Sequence, residues 1–73
     1  MRMEECKQAF GLIQVCKGFH VRIYPRGGRG FISYSGCVEA LNDVAIAIKI
    51  NDTVVLFRWS EIKFIEVVSN ECS

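Results

Sequence analysis

The segment Tyr34–Lys49, "YSGCVEALNDVAIAIK", constrains the fold most strongly, because its residues alternate in character along almost its whole length. Apolar and polar residues alternate first, and large and small apolar residues alternate after them. A period of two is typical of β-strands, in which successive side chains point to opposite faces of the sheet. Asn42 and Asp43 interrupt the pattern, and both residue types favour turns because their side chains bond the neighbouring backbone. The segment therefore predicts two antiparallel strands joined at residues 42–43.

A glycine lies at the centre of the first of these strands, which the pattern extends over residues 31–41. Such a strand is long for a chain of 73 residues. A glycine inside a strand is a position where a small curved sheet bends sharply. We therefore expect Gly36 to mark a bend.

Further strands are predicted on both sides of this segment. The alternating run "FHVRIY" ends at "PRGGRG", because proline and repeated glycine do not continue a ladder of hydrogen bonds. After a second turn at residues 51–52, "TVVLFRW" and "KFIEVV" are predicted strands, with "SEI" as a tight turn between them. The chain is therefore expected to be mainly β, with a small five-stranded SH3-like barrel over about residues 19–68, because barrel closure removes exposed sheet edges. A short C-terminal tail follows.

The N-terminal segment carries a different pattern. Residues at intervals of three and four would share one helix face, namely Met3, Cys6, Phe10 and Ile13. Lys17 followed by Gly18 suits the end of a helix, because glycine readily adopts the left-handed conformation found there. We expect an N-terminal α-helix over about residues 3–17. The alternative is a hairpin in which "GLIQV" pairs with "FHVRIY" through residues 16–18.

Size and composition indicate one small domain covering residues 1–73. The hydrophobic fraction of 51% is too high for a disordered chain. A chain of this length has a thin core, so self-association is a common means of burying more surface. No apolar run approaches the length that spans a membrane, and no signal-peptide pattern is present. We therefore expect a cytoplasmic protein that does not enter a membrane.

The cysteines are four in number, namely Cys6, Cys16, Cys37 and Cys72. No two have CxxC spacing, and His20 is the single histidine, so we expect no metal site. An even number allows disulfides, but for a cytoplasmic chain we expect reduced thiols.

Charge is distributed unevenly along the chain. Residues 1–36 carry six Lys or Arg against two Glu, whereas residues 37–73 carry three Lys or Arg against six Asp or Glu. The formal net charge is only +1. This asymmetry predicts either a mixed solvated surface or a basic face that attracts nucleic acid or the acidic half of a neighbouring subunit.

The segment "GCVEALNDVAIAIK" resembles the pattern G-x-I-E-x-F-D-x-x-V-I-L-L-K of the Sm-like family, which includes bacterial Hfq and the LSm proteins. The matching positions are Gly36, Val38, Glu39, Leu41, Ile46, Ile48 and Lys49. "FRWSEIKFI" is similar to the second Sm signature, I-R-G-x-x-I-x-x-I, with Trp59 in place of the glycine. The resemblance covers most of residues 5–68. It implies a cyclic homo-oligomer that binds RNA, in which the fourth strand of one subunit pairs with the fifth of the next.

The resemblance also implies a site for nucleic acid. Arg58 matches the arginine of the Sm signature that packs against a base, and guanidinium groups suit stacking and phosphate contacts. A salt bridge of Arg58 with Glu61 or Asp52 is the alternative. Asn42 and Asp43 fall in the loop that faces the base in that family, or else only form the turn. Val44 stands where Hfq carries the aromatic residue that stacks on uracil.

The loop "YPRGGRG" adds three candidates, namely Tyr24, Arg26 and Arg29. An aromatic ring and arginines on a flexible loop can stack on bases and neutralise phosphates. The alternative, a plain turn with solvated arginines, is the simpler interpretation. Trp59 is either a stacking platform or an anchor at a subunit contact.

No catalytic set of residues and no phosphate-binding motif of the form GxxxxGK[ST] is evident, so we expect neither an enzyme nor a cofactor. The sequence predicts non-catalytic binding of RNA or single-stranded nucleic acid by a ring-shaped homo-oligomer. The alternative is a small β-barrel adaptor that binds another protein and no nucleic acid, of the kind that phages or mobile elements encode.

Overall fold

The computed structural model of the protein describes residues 5–27 and 32–72. These described residues form seven strands and one 3₁₀ turn of three residues. The strands are β1 (Cys6–Ala9), β2 (Ile13–Cys16), β3 (His20–Pro25), β4 (Tyr34–Leu41), β5 (Ala45–Ile50), β6 (Thr53–Arg58) and β7 (Ile62–Ser69). The 3₁₀ turn, Trp59–Glu61, joins β6 to β7. The prediction of a mainly β chain is confirmed.

The predicted N-terminal α-helix is wrong, because its place is taken by a hairpin of β1 and β2. The two strands pair antiparallel, with Cys6 opposite Cys16 and Ala9 opposite Ile13. Phe10 and Gly11 form the turn with positive φ angles of 55° and 68°. Positive φ at both central residues is the geometry of a type I′ turn. A continuous α-helix through these residues is incompatible with these angles. The alternative hairpin is also wrong, since β2 pairs with β1 and not with β3.

The remaining five strands form one antiparallel sheet in the order β6-β5-β4-β3-β7. Turns join β4 to β5 and β5 to β6, and the predicted turn at residues 51–52 is confirmed, with Asn51 at a φ of 57°. Within residues 5–27 and 32–72, β6 and β7 share no ladder. The closure expected for a barrel is therefore not found there, and the sheet keeps two edge strands.

The core lies on one face of the five-stranded sheet and includes residues of the N-terminal hairpin. Its fully buried large side chains are Val15, Val21, Ile23, Ile46, Ile48 and Ile62. Strands β3 and β5 alternate as predicted, but β4 does not, because a bulge between Val38 and Ala40 shifts its register. After this bulge Leu41 is buried and Ala40 is only half-buried, so the simple alternation expected from the sequence does not continue to the end of β4.

Gly36 is buried in β4, at a point where β5 passes very close to it. A Cβ atom at Gly36 would meet the carbonyl oxygen of Lys49 and would lie 3.0 Å from its carbonyl carbon. Such contacts do not fit within normal packing, and the neighbouring atoms are backbone atoms that cannot easily move. The close approach of β5 therefore requires glycine at this position.

The four cysteines form two disulfides, Cys6–Cys16 and Cys37–Cys72, so the prediction of reduced thiols is wrong. The first links the directly opposed ends of β1 and β2, and the second ties the C-terminal segment to β4. In both cases the fold brings together cysteines that are many residues apart along the chain. Paired cysteines are unusual in the cytoplasm, where thiols are kept reduced.

Candidate functional site

The turn between β4 and β5 is held by the side chain of Asn42. Its Oδ1 atom accepts hydrogen bonds from the backbone amides of Val44, at 2.8 Å, and of Ala45, at 3.0 Å. The backbone amide of Asn42 donates to the carbonyl of Ala45 over 3.0 Å. This arrangement confirms the turn predicted at residues 42–43 and gives it the expected physical cause, an asparagine that bonds its own backbone.

The end of β6 fixes the same turn from the other side. Arg58 lies opposite Ala45 in the β5–β6 ladder. Next along the chain, the backbone amide of Trp59 donates to the carbonyl of Val44 over 3.0 Å, and the indole Nε1 donates to the carbonyl of Asn42 over 2.7 Å. Trp59 thus connects the turn to the strand that carries Arg58. The structure thus places the backbone of Arg58 next to the turn that carries Asn42 and Asp43.

Lys7 completes this cluster and was not foreseen from the sequence. Its Nζ atom lies 3.6 Å from a carboxylate oxygen of Asp43 and 5.7 Å from the ring centre of Trp59. Lys7 faces Val15 across the hairpin, and Val15 is fully buried, so both side chains lie on the face that packs against the sheet. Alternation through Lys7 and Ala9 could have predicted a strand with both side chains on one face. The same segment also has helical spacing, which favoured the wrong prediction of a helix. We call Lys7, Asn42, Asp43, Arg58 and Trp59 the turn cluster.

Arg58 is exposed and takes part in neither of the two salt bridges found among the described residues. The alternative reading, an ion pair with Glu61 or Asp52, is therefore not realised there. Trp59 is half-buried and packs against the core of its own chain. In this structure its indole ring supports the turn, with its nitrogen already bonded to Asn42.

The other predicted site residues lie apart from the turn cluster. The Tyr24 ring stacks on Phe64 with ring centres 4.2 Å apart, and its hydroxyl donates to Glu66 over 3.1 Å. The backbone amide of Arg26 donates to the carbonyl of Glu61 over 2.8 Å. Arg29 lies outside the described residues. Tyr24 and Arg26 therefore belong to the β3–β7 side of the sheet, at the opposite end of the 3₁₀ turn from Trp59.

Glu66 joins the polar groups on this side of the sheet. It accepts from Tyr24 and also from the Arg22 guanidinium, whose Nη1 atom lies 3.0 Å away. The pKa of Arg22 is raised above its ordinary value, because its charged form is favoured by hydrogen bonding. The Tyr24 oxygen has the largest effect, and the Glu66 carboxylate has the next largest. Arg22 and Tyr24 are thus engaged within the chain, whereas Arg58 is available to a ligand.

Within residues 5–27 and 32–72, no three His, Cys, Asp or Glu side chains come together as metal ligands. None of the helical segments in this part of the chain has the length and apolar character needed to cross a membrane.

Neither protein-family models, nor curated proteins, nor solved structures gave a match to this chain.

Proposed function

We propose that this protein binds RNA or single-stranded nucleic acid without catalysis, as a ring-shaped homo-oligomer whose binding surface is the turn cluster. The observation that carries the proposal is the placement of Arg58, exposed and without a salt bridge in the described structure, beside a turn fixed by Asn42 and Trp59. An exposed guanidinium at the end of a strand, next to a turn that is fixed by hydrogen bonds, suits both base stacking and phosphate contacts.

The two edge strands support self-association. Strand β6 has six residues and β7 has eight, so their free backbone groups can form a continuous ladder between neighbouring subunits. Both strands expose large apolar side chains, namely Val54, Leu56, Phe64, Val67 and Val68. Pairing of β6 in one subunit with β7 in the next is a head-to-tail contact, and it closes a ring when the rotation per subunit allows it. The proposed relationship to the Sm-like family rests on the quoted sequence similarity and on this arrangement.

Fluorescence anisotropy with labelled oligo(U) and oligo(A) at low and high salt tests binding. We expect binding at low salt that weakens as salt increases, because phosphate contacts release counterions. Arg58→Ala should weaken binding by about tenfold or more, which corresponds to loss of one charged hydrogen-bonding group. Arg22→Ala is the matched control, because Arg22 is already paired with Glu66. Absence of binding at low salt would refute the proposal.

Light scattering during size-exclusion chromatography tests the ring. We expect a mass several times that of the 8.3 kDa chain. Leu56→Asp places a charge on β6, where 68% of the leucine is exposed, and should shift the mass towards the monomer. A native protein that elutes as a clean monomer would contradict the ring. It would not decide whether the protein binds nucleic acid, because the anisotropy experiment tests that separately.

The exposed apolar side chains of β6 also favour the second candidate function, an adaptor that binds another protein. The net charge of +1 supplies little attraction for nucleic acid, in agreement with that alternative. The adaptor hypothesis predicts no affinity for either oligonucleotide. It also predicts a protein partner that remains bound after nuclease treatment, is lost with Leu56→Asp and is retained with Arg58→Ala.

A further inference from the structure

We infer that the Cys6–Cys16 disulfide is a redox switch that controls the turn cluster. A low-molecular-weight thiol reduces the disulfide, strand β1 is released from β2, and Lys7 moves away from Asp43 and Trp59. The inference rests on the proposed function, because it specifies how that function is regulated at the same site. It follows from where the disulfide lies on the hairpin and from what else holds β1 in place.

The disulfide lies on the solvent-facing side of the N-terminal hairpin. Cys6 and Cys16 are directly opposite each other in the β1–β2 ladder, and the next pair on the same face is Gln8 and Gln14, which are both exposed. Val15 is fully buried and points to the other face, since successive residues of a strand alternate between faces. Both cysteines are half-buried, so a small thiol can reach the sulfur atoms without unfolding the chain.

Apart from the disulfide, strand β1 is held by few interactions. In the part of the chain that the structure describes, β1 pairs with β2 alone, and a two-stranded hairpin by itself is at best marginally stable in water. Its single buried residue is Ala9, whose side chain is one methyl group. The turn that follows places Phe10 at a φ of 55°, which is unfavourable for a bulky residue. Breaking the cross-link therefore releases β1.

Strand β2 and the five-stranded sheet keep their own contacts. Val15 of β2 is fully buried in the core. Directly after β2, the backbone amide of Gly18 donates to the carbonyl of Val38 over 3.0 Å, and the amide of Val38 donates to the carbonyl of Phe19 over 2.9 Å. These bonds tie the chain to β4. The released segment is therefore β1, which carries Lys7.

The chemical step is a two-electron thiol–disulfide exchange. The thiolate of a small thiol such as glutathione attacks the Sγ atom of Cys6 or Cys16, the S–S bond breaks, and the other cysteine leaves as a thiolate. A second molecule of the thiol then attacks the mixed disulfide and leaves as the small-molecule disulfide. Two small thiols are oxidised, and both cysteines end as protonated thiols.

Release of β1 changes the charge of the turn cluster. With the disulfide formed, Lys7 and Arg58 carry two positive charges against one negative charge on Asp43, and the Nζ atom of Lys7 lies 3.6 Å from the Asp43 carboxylate. After release, Arg58 alone offsets Asp43, whose side chain is 85% exposed. The turn cluster loses its net positive charge, and the exposed carboxylate repels a phosphate backbone. The oxidised protein therefore binds nucleic acid more tightly than the reduced protein.

Hydrogen–deuterium exchange followed by mass spectrometry tests the release of β1 without any nucleic acid. In the native protein treated with reduced glutathione, we expect the amides of β1 to exchange about tenfold faster or more, while those of β4 and β5 stay protected. The emission of Trp59, the single tryptophan, should move to longer wavelengths as Lys7 leaves its ring. Unchanged exchange in β1, or loss of protection throughout the sheet, would overturn the inference.

Alkylation of the same samples identifies the disulfide that is responsible. Faster exchange in β1 should accompany labelling of Cys6 and Cys16, and the matched variant Cys37→Ala/Cys72→Ala, which keeps only the Cys6–Cys16 disulfide, should respond as the native protein does. Faster exchange that accompanies labelling of Cys37 and Cys72 alone would contradict the switch, whether or not the variant folds.

Fluorescence anisotropy with oligo(U) at low salt tests the effect on binding, with dithiothreitol as an uncharged reductant. We expect reduction to weaken binding about fivefold and reoxidation to restore it, because one cation is lost from the site. Lys7→Gln should bind as weakly as the reduced native protein and should no longer respond to reduction. Equal binding by the oxidised and reduced native protein would overturn the inference and leave the proposed function intact. If neither form binds, the proposed function fails, and with it the regulation of binding inferred from it.

Discussion

The indole nitrogen of Trp59 donates a hydrogen bond to the main-chain carbonyl of Asn42 over 2.7 Å, across 17 residues of sequence. This bond connects the end of β6 to the turn between β4 and β5. Trp59→Phe removes the donor and retains most of the apolar ring, so we expect a loss of about 1 kcal/mol in the free energy of unfolding. Urea denaturation followed by circular dichroism measures it, since Trp59 is the single tryptophan and its fluorescence is lost with the substitution.

The control for this prediction is Ser60→Ala, at an exposed position in the same 3₁₀ turn. We expect its effect to remain within about 0.5 kcal/mol. Equal stabilities for Trp59→Phe and the native protein would show that the indole bond does not hold the turn.

Gly36→Ala should destabilise the protein by about 2 kcal/mol or more, as overpacking in a closed site usually does. The added methyl group would meet the backbone of Lys49, and relief requires β4 and β5 to separate. Thermal and urea unfolding measure the loss. Ser35→Ala is the adjacent control, because Ser35 is exposed and alanine does not alter the contact with β5. A neutral Gly36→Ala would mean that the two strands do not approach as closely as described.

Alternation in the sequence was sufficient to predict the strands from His20 onwards. Ile46 and Ile48 repeat at a period of two, and Asn42 bonds the backbone as its residue type suggests, so local chemistry and packing indicate the same structure. The shift after Val38 could not be predicted in this way, because a bulge leaves no mark in the polarity pattern.

The N-terminal segment shows where local patterns fail. Spacings of three and four through Cys6, Phe10 and Ile13 suit a helix, yet Lys7, Ala9, Ile13 and Val15 equally suit one face of a hairpin. The deciding element is the turn, in which Phe10 occupies a position that asparagine or glycine usually fills. The sequence at this turn therefore did not indicate a hairpin. Because the hairpin was not predicted, the position of Lys7 beside Asp43 was not predicted either.

The two disulfides should contribute unequally to stability. Their cysteines are separated by 10 residues for Cys6–Cys16 and by 35 for Cys37–Cys72. In the chain-entropy account, closing these loops in the unfolded state contributes about 3 and about 4 kcal/mol respectively. We expect replacement of both cysteines of a pair by alanine to lower the free energy of unfolding, and the loss should be larger for Cys37–Cys72 than for Cys6–Cys16. Urea denaturation without reductant measures both losses.

Alkylation of free thiols during cell lysis, followed by mass spectrometry of the intact protein, tests whether the cysteines are paired. We expect no alkylated cysteine before reduction and four after it. Alkylation of all four cysteines without reduction would show that the thiols are free in the cell and would agree with a cytoplasmic location.

Phe10→Asn should stabilise the protein by about 0.5–1 kcal/mol, even though it removes an apolar residue. Phe10 has a φ of 55°, a conformation that is unfavourable for a bulky residue and well tolerated by asparagine, and 51% of the residue is exposed. Asparagine before Gly11 also forms the preferred sequence of a type I′ turn. The measurement is the urea midpoint, with Leu12→Asn as the control at the same turn, where 81% exposure predicts a change within about 0.5 kcal/mol. A loss of stability on Phe10→Asn would instead show that the phenyl ring packs on the hairpin strongly enough to outweigh the strained backbone.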